Sequence, residues 1–163
     1  KFSVKLLGAT VFQVEGYGEE KYVKDQLISY ESKTLQNDIE KFVNLVLDEN
    51  KFNVKGSSYL GEASINNIVG NWWNHKILQT DSQISPISGS IKEQVVTFVG
   101  KEKIEQYGKV YEVDRFTLKS KDMSLPKDKR LDFNIWYEKE TAQIIRVSYS
   151  RMGNWEYRLK NFD

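Results

Sequence analysis

The chain has 163 residues, enough for one domain of ordinary size, and its 24 Lys and Arg nearly balance 23 Asp and Glu. This balance argues against nucleic-acid binding, which needs an excess of clustered basic side chains. With no Cys and a single His, the sequence offers no thiol nucleophile, disulfide or metal-ligand cluster, so we expect no metal and no cofactor. No apolar run is long enough for a membrane span, so we do not expect an integral membrane protein.

The composition favours strands over helices. Val and Ile together number 26 and aromatic residues 21, whereas Ala numbers 3. Branched and aromatic side chains fit a pleated, half-buried surface. We therefore predict a single all-β domain over residues 1–163, mainly antiparallel, with about nine or ten strands. Its expected form is a strongly curved sheet or open β-barrel with one short helical insertion.

The N-terminal segment alternates apolar and polar residues, which predicts a strand. Gly8 allows a bend in it, and Gly16-Tyr17-Gly18 is expected to end the run. A second, weaker alternation predicts a strand over residues 26–35.

Residues 39–47 leave two interpretations open. Ile39, Phe42, Val43, Val46 and Leu47 follow the spacing of an amphipathic helix. The flanking strands, the branched Val pair and turn-like sequences on both sides favour one strand of a meander instead. We predict the strand.

Alternation fails between Tyr59 and Pro86, where the stretch 66–77 predicts the helical insertion, packed on the sheet by Trp72 and Trp73. Further along, the apolar residues change from odd-numbered positions, Tyr111 and Val113, to even-numbered ones, Phe116 and Leu118. This change predicts a β-bulge near Asp114 and Arg115. The charged stretch 120–130 is expected to be an exposed, mobile loop.

The C-terminal third shows the clearest strand pattern. Residues 131–137, 145–149 and 155–159 each alternate, with polar turn residues 138–141 after the first run and Met152-Gly153-Asn154 after the second. We predict three consecutive antiparallel strands.

Aromatic side chains are the candidates for a ligand site, because a curved sheet with an incomplete plug leaves a groove that large side chains shape. The same side chains could equally fill a core. The proposed ligand-binding residues are Trp72, Trp73, Asn74, Phe98, Phe116, Phe133 and Tyr137.

His75 is the one candidate general base. The sequence has no nucleophile elbow and no Gly-rich phosphate loop beside it. We therefore assign no catalytic residue and expect no enzyme; a hydrolase that uses His75 is the third hypothesis.

Several short motifs carry a resemblance over nearly the whole chain. They are Trp72-Trp73-Asn74, then Pro86, Ser88 and Gly89, then Trp136-Tyr137-Glu138, and finally Gly153 with Glu156-Tyr157-Arg158-Leu159. In this the chain resembles a family of uncharacterised exported bacterial proteins, a domain of unknown function. The family usually has Asn-Gly where this chain has Asn37-Asp38, which leaves a longer loop open there.

The resemblance implies a scaffold similar to periplasmic lipoprotein carriers and an export signal removed before Lys1, hence a periplasmic or secreted location. It implies no reaction. The first functional hypothesis is a non-enzymatic carrier that holds a lipid or other apolar or amphipathic molecule on the concave face. The second is an envelope interaction or structural module with a filled core.

Overall fold

The computed structural model describes residues 2–6, 9–150 and 154–160, with side chains in 13–149 and 154–160. Strands account for 67% of the structure and helical turns for 6%, which confirms the all-β prediction. No helix among the described residues is long and apolar enough to cross a membrane. The helical turns are the 3₁₀ segments His75–Gln79 and Lys127–Lys129. The strands are β1 Phe2–Leu6, β2 Ala9–Val23, β3 Gln26–Gln36, β4 Ile39–Asp48, β5 Lys51–Gly56, β6 Tyr59–Ser64, β7 Ile68–Val69, β8 Ser82–Ile84, β9 Ile91–Gln106, β10 Lys109–Ser120, β11 Asp132–Glu138, β12 Gln143–Ser150 and β13 Asn154–Arg158.

Contacts between residues divide the chain into two compact units. The first comprises residues 1–69 and 84–91, and the second residues 70–83 and 92–163. That the whole chain folds as a single domain stays a prediction.

The first unit is an antiparallel meander, β1 to β6, in which each strand pairs with the next along the chain. The turns Lys24-Asp25 and Asn37-Asp38 have two residues each, all four with positive φ, as tight hairpins with right-handed strand twist require. The Asn37 side chain accepts a hydrogen bond from the Gln13 backbone at 2.8 Å. This bond holds Asn37-Asp38 in a tight turn, so no longer loop forms.

Residues 39–47 lie within β4, as predicted. Val43 and Leu45 are 1% and 0% exposed, whereas Val46, on the opposite parity, is 49% exposed; Ile39 shares the parity of Val43 and is 63% exposed at the start of the strand. Burial therefore follows the two-residue period of a strand, and the apparent helical stripe is split between the two faces.

Gly16 and Gly18 do not end a strand, which corrects the sequence prediction. Both lie inside β2, and the chain turns at Lys24-Asp25 instead. A Cβ on Gly16 would lie 2.8 Å from the Lys33 carbonyl oxygen, and one on Gly18 2.9 Å from the Tyr30 hydroxyl. These glycines permit close approach of β3 and its side chains. The predicted bend at Gly8 lies outside the described residues, and so do Met152 and Gly153 of the predicted turn.

In the second unit the strands follow the order β13-β12-β11-β10-β9-β8 in a strongly curved sheet. The three C-terminal strands, β11 to β13, are confirmed. Pairing between β9 and β10 shifts register between Arg115 and Phe116, next to the predicted position, but the extra residue is Val99 on β9, because Arg115 pairs with Gly100 and Phe116 with Phe98. The side chains of Tyr111 and Val113 are buried before the shift and that of Leu118 after it, so the buried face changes there.

A second register shift, not predicted, separates Trp136 and Tyr137 in the pairing of β11 with β12. Trp136 pairs with Arg146 and Tyr137 with Ile144, so Ile145 is the extra residue. Ile144 and Ile145 are consecutive and both buried, which strict alternation does not allow. The bulge resolves that conflict.

The helical insertion begins later than the predicted 66–77, because residues 68–69 form β7 and the 3₁₀ turn starts at His75. Asn74 caps this turn by accepting from the Lys76 backbone at 3.1 Å. The Asn74 backbone in turn donates to the Asn71 side chain at 3.0 Å. The stretch 120–130 is largely exposed, as expected.

Replacing Gly56 by Ala is expected to lower the free energy of unfolding by about 1–3 kcal/mol. The new methyl group would lie 2.4 Å from the Ser88 carbonyl oxygen and 2.9 Å from the Gly89 Cα, both backbone atoms that cannot rotate away. Urea unfolding measures the change. Gly100→Ala is the control, since nothing lies within 4 Å of its Cβ position, and should change stability by no more than about 0.5 kcal/mol. Equal effects of the two substitutions would contradict this packing argument.

Candidate functional site

An open cleft of about 410 Å³ lies in the second unit beside β12, β13 and the Trp72-Trp73 segment. Its lining is mostly apolar and aromatic. Ile144, Ile145 and Val147 are 7%, 0% and 1% exposed and form its floor, whereas Trp73 is 76% exposed. The lining residues are Trp72, Trp73, Gln143, Ile144, Ile145, Arg146, Val147, Tyr157, Arg158 and Leu159.

A row of aromatic rings continues from the cleft across the sheet. Trp72 meets Phe133 edge-on at a centroid distance of 4.8 Å, and Phe133 contacts Tyr149 at 5.3 Å. Tyr149 stacks on Tyr157 at 6.0 Å. Phe133 thus supports Trp72 and Tyr149 supports Tyr157, so two residues of the row that do not line the cleft position two that do.

The sequence-predicted ligand residues are only partly brought together. Of the seven, Trp72 and Trp73 line the cleft within the part of the chain that the structure describes. Phe98 and Phe116 form an edge-on pair at 5.5 Å, and Tyr137 stacks on His75 at 5.6 Å. Asn74 serves as the helix cap described above. Ligand contact by these residues stays a prediction.

Trp136 stands between two guanidinium groups. The centres of the Arg115 and Arg146 guanidiniums lie 5.4 and 5.7 Å from its ring, within the range of cation–π attraction. Its indole nitrogen donates to Glu102 at 2.9 Å, and Glu102 also accepts from Arg115 at 3.1 Å. Arg115 reaches Asn134 as well, at 2.8 Å. These contacts tie β9, β10, β11 and β12 together through one polar cluster.

Glu156 joins Arg146 to a third arginine of this surface, Arg158. Arg158 donates to one Glu156 oxygen through Nε at 2.8 Å and Nη2 at 2.6 Å. The second Glu156 oxygen lies 3.2 Å from Arg146 Nε, an ion-pair contact whose angle falls outside hydrogen-bond geometry. One carboxylate thus orients two guanidinium groups beside the cleft.

His75 does not meet the geometric conditions for a general base. Its ring stacks on Tyr137, and among the described residues no acid or hydroxyl is hydrogen-bonded to it. Within the same residues no group of three His, Cys, Asp or Glu is placed to hold a metal ion. The absence of enzymatic activity stays a prediction.

A larger open depression of about 680 Å³ borders the β9–β10 hairpin and the turn after β11. Four lysines and five acidic residues line it, so the depression favours neither an anionic nor a cationic ligand. The charged residues that line it are Lys101, Lys103, Lys109, Lys139, Glu102, Glu112, Asp114, Glu138 and Glu140. We regard it as a solvated surface.

Three cleft residues, Arg146, Tyr157 and Arg158, were not among the ligand-binding residues predicted from the sequence. Arg146 and Arg158 occupy the polar parity of their strands, a position typical of a solvated face. The signal that could have found Tyr157 and Arg158 is the motif Glu156-Tyr157-Arg158-Leu159, which carried the resemblance but suggested no chemistry by itself.

A family model described as a domain of unknown function, DUF6134, matches residues 1–160. The chain belongs to DUF6134. Searches with this chain found no matching curated protein and no matching solved structure.

Three of the motifs quoted for the resemblance fall into two places in this DUF6134 chain, and Trp136-Tyr137-Glu138 ends β11. Pro86 accepts hydrogen bonds from the Tyr30 and Ser32 hydroxyls in the first unit, at 2.9 and 2.7 Å. In the second unit, Trp72, Trp73 and the 156–159 motif meet around the cleft and its arginines. The second group is the candidate functional site.

The indole of Trp136 and the guanidinium of Arg115 hold the pKa of Glu102 below its ordinary value of 4.5. The folded carboxyl therefore loses its proton at a lower pH than the unfolded one. Its stabilising effect is complete above about pH 4.5 and is lost as the pH falls through the folded pKa. We expect the stability difference between wild type and Glu102→Gln to be largest at neutral pH and to shrink on acidification below pH 4.5.

Urea unfolding of both proteins over a pH series tests this expectation. Glu112→Gln is the control: Lys103 also lowers the pKa of Glu112, but the Glu112 and Lys103 side chains are 78% and 72% exposed, so the pair contributes little to stability and its pH-dependent difference from wild type should be the smaller one. A wild-type minus Glu102→Gln difference that is constant from neutral to acidic pH would show that the Trp136–Arg115 contacts do not favour the ionised carboxylate.

Proposed function

We propose that this DUF6134 protein is a non-enzymatic binding protein that holds an amphipathic small molecule with one hydrocarbon chain in the cleft of the second unit. The observation that carries the proposal is the cleft itself, an open, mainly apolar cavity of about 410 Å³ beside two arginines. This volume lies within the range of small-molecule sites.

Burial of apolar surface supplies the driving force. Ile144, Ile145 and Val147 form an apolar floor, so a hydrocarbon chain there loses its contact with water at about 25 cal/mol per Å². Trp73 is exposed over three quarters of its surface, 76%, and would gain burial against the same chain. The aromatic row behind Trp72 gives the cleft a rigid wall, which lowers the entropic cost of binding.

A periplasmic or secreted location and a carrier role belong to this proposal. Both come from the resemblance stated above, and cell fractionation with an antibody against the chain would test the location. The competing hypothesis is an envelope interaction or structural module, for which no small molecule should occupy the cleft.

Native mass spectrometry of protein purified without detergent, followed by organic extraction, tests the proposal directly. We expect an added mass in the lipid range that disappears after extraction. A clean apo mass, together with no binding of added single-chain amphiphiles, would overturn it and favour the interaction module.

Trp73→Ala is expected to weaken binding of a dodecyl-chain amphiphile about tenfold or more, because the indole covers the chain on the solvent side. Isothermal titration calorimetry measures the dissociation constant. Thermal stability should change little, since Trp73 is mostly exposed.

The matched control is Tyr107→Asn, which removes an exposed aromatic side chain (59%) outside the cleft lining. Asn tolerates the positive φ of 53° found at this position. Tyr107→Asn should leave the dissociation constant unchanged. Loss of affinity in both variants would mean that the amphiphile binds to exposed aromatic surface in general.

A further inference from the structure

Two basic side chains, Arg146 and Arg158, are the only ionisable groups with clear charge at neutral pH in the described lining of the cleft. None of the lining residues that the structure describes is a carboxylate. The charge beside the apolar floor is therefore of one sign, in contrast to the mixed lining of the larger depression.

Glu156 compensates only one of the two positive charges. It contacts both guanidiniums, and the neighbouring Glu102 is already bound to Arg115 and Trp136. Arg146 also donates to a neutral acceptor, the Glu105 backbone carbonyl, at 3.3 Å. Among the described residues, two guanidiniums against one carboxylate leave an excess of one positive charge at the edge of an apolar cavity.

The two arginines differ in how far they can serve a ligand. The Arg146 side chain is 18% exposed and packs on Trp136, so its position is fixed. The Arg158 side chain is 47% exposed, and Glu156 holds it from one side through Nε and Nη2. A guanidinium has five donors in a planar fork, so Arg158 keeps donor capacity toward an incoming anionic oxygen.

We propose that the ligand of this cleft carries an acidic head group, a carboxylate or phosphate, that Arg158 binds while the hydrocarbon chain lies on the Ile144–Val147 floor. This inference rests on the proposed function and defines its ligand class. The excess charge favours an anionic amphiphile over a neutral or cationic one of the same chain length.

The test compares four probes with the same chain, each below its micelle concentration: dodecanoate, dodecyl phosphate, 1-dodecanol and dodecyltrimethylammonium. Calorimetry or tryptophan fluorescence gives the dissociation constants. We expect at least one anionic probe to bind about tenfold or more tightly than the alcohol, and the cation to bind most weakly. The ratio between dodecanoate and dodecyl phosphate distinguishes a fatty-acid source from a phosphate one.

Arg158→Gln provides the decisive variant, since the side chain is nearly half exposed and its loss should leave the fold intact, as circular dichroism can verify. It should weaken binding of the preferred anion about tenfold and leave the alcohol unchanged. Arg158→Lys keeps the charge without the planar fork and should restore part of the affinity. Lys139→Gln removes one positive charge from the same unit outside the cleft lining and should change neither constant.

The outcomes separate the two proposals. Equal binding of the anionic probes and the alcohol, or an equal loss of both in Arg158→Gln, overturns the acidic-head inference and leaves the apolar cleft standing. Failure of every probe to bind overturns the proposed function itself.

Discussion

A β-bulge in β12 determines which side chains of that strand the curved sheet of the second unit buries. Side chains alternate between faces along a strand, so one extra residue moves every later side chain to the other face. The extra residue Val99 lies on β9 opposite Arg115 and Phe116, and the extra residue Ile145 on β12 allows Ile144 and Ile145 to be buried in succession. Because of the bulge in β12, the two buried isoleucines that line the cleft can be adjacent in the chain.

The polar cluster around Trp136 joins four neighbouring strands of the same sheet, β9 to β12. Glu102, Arg115 and Trp136 come from three neighbouring strands, and Glu102 accepts hydrogen bonds from both the Arg115 guanidinium and the Trp136 indole. Partly exposed guanidiniums packed on an indole keep their charge and lose conformational freedom. Arg146 shares the indole with Arg115 and reaches Glu156, so the same cluster also fixes the basic edge of the cleft. Arg146 therefore takes part both in the packing around Trp136 and in the lining of the proposed binding cleft.

The first unit uses a different device, close approach at glycine. Gly16 and Gly18 allow β3 to lie tightly against β2, and Gly56 meets Ser88 and Gly89 of the 84–91 segment. The Tyr30 and Ser32 hydroxyls hold the Pro86 carbonyl in the same segment, and burial raises the pKa of Tyr30, which keeps that hydroxyl a donor. In this unit the motif residues Pro86, Ser88 and Gly89 have packing roles.

The sequence by itself determined the all-β class, most strand positions, the β4 strand and the approximate place of the first bulge, because alternation and turn residues act over a few neighbouring positions. It misplaced the turn at Gly16–Gly18, since a glycine at a turn and a glycine at a close contact have the same local signature. Only the tertiary structure decided that Arg146, Tyr157 and Arg158 meet Trp72 and Trp73, and that Glu102 binds Trp136. Those contacts join residues far apart in the chain, and their partners depend on strand register, which short-range patterns leave open.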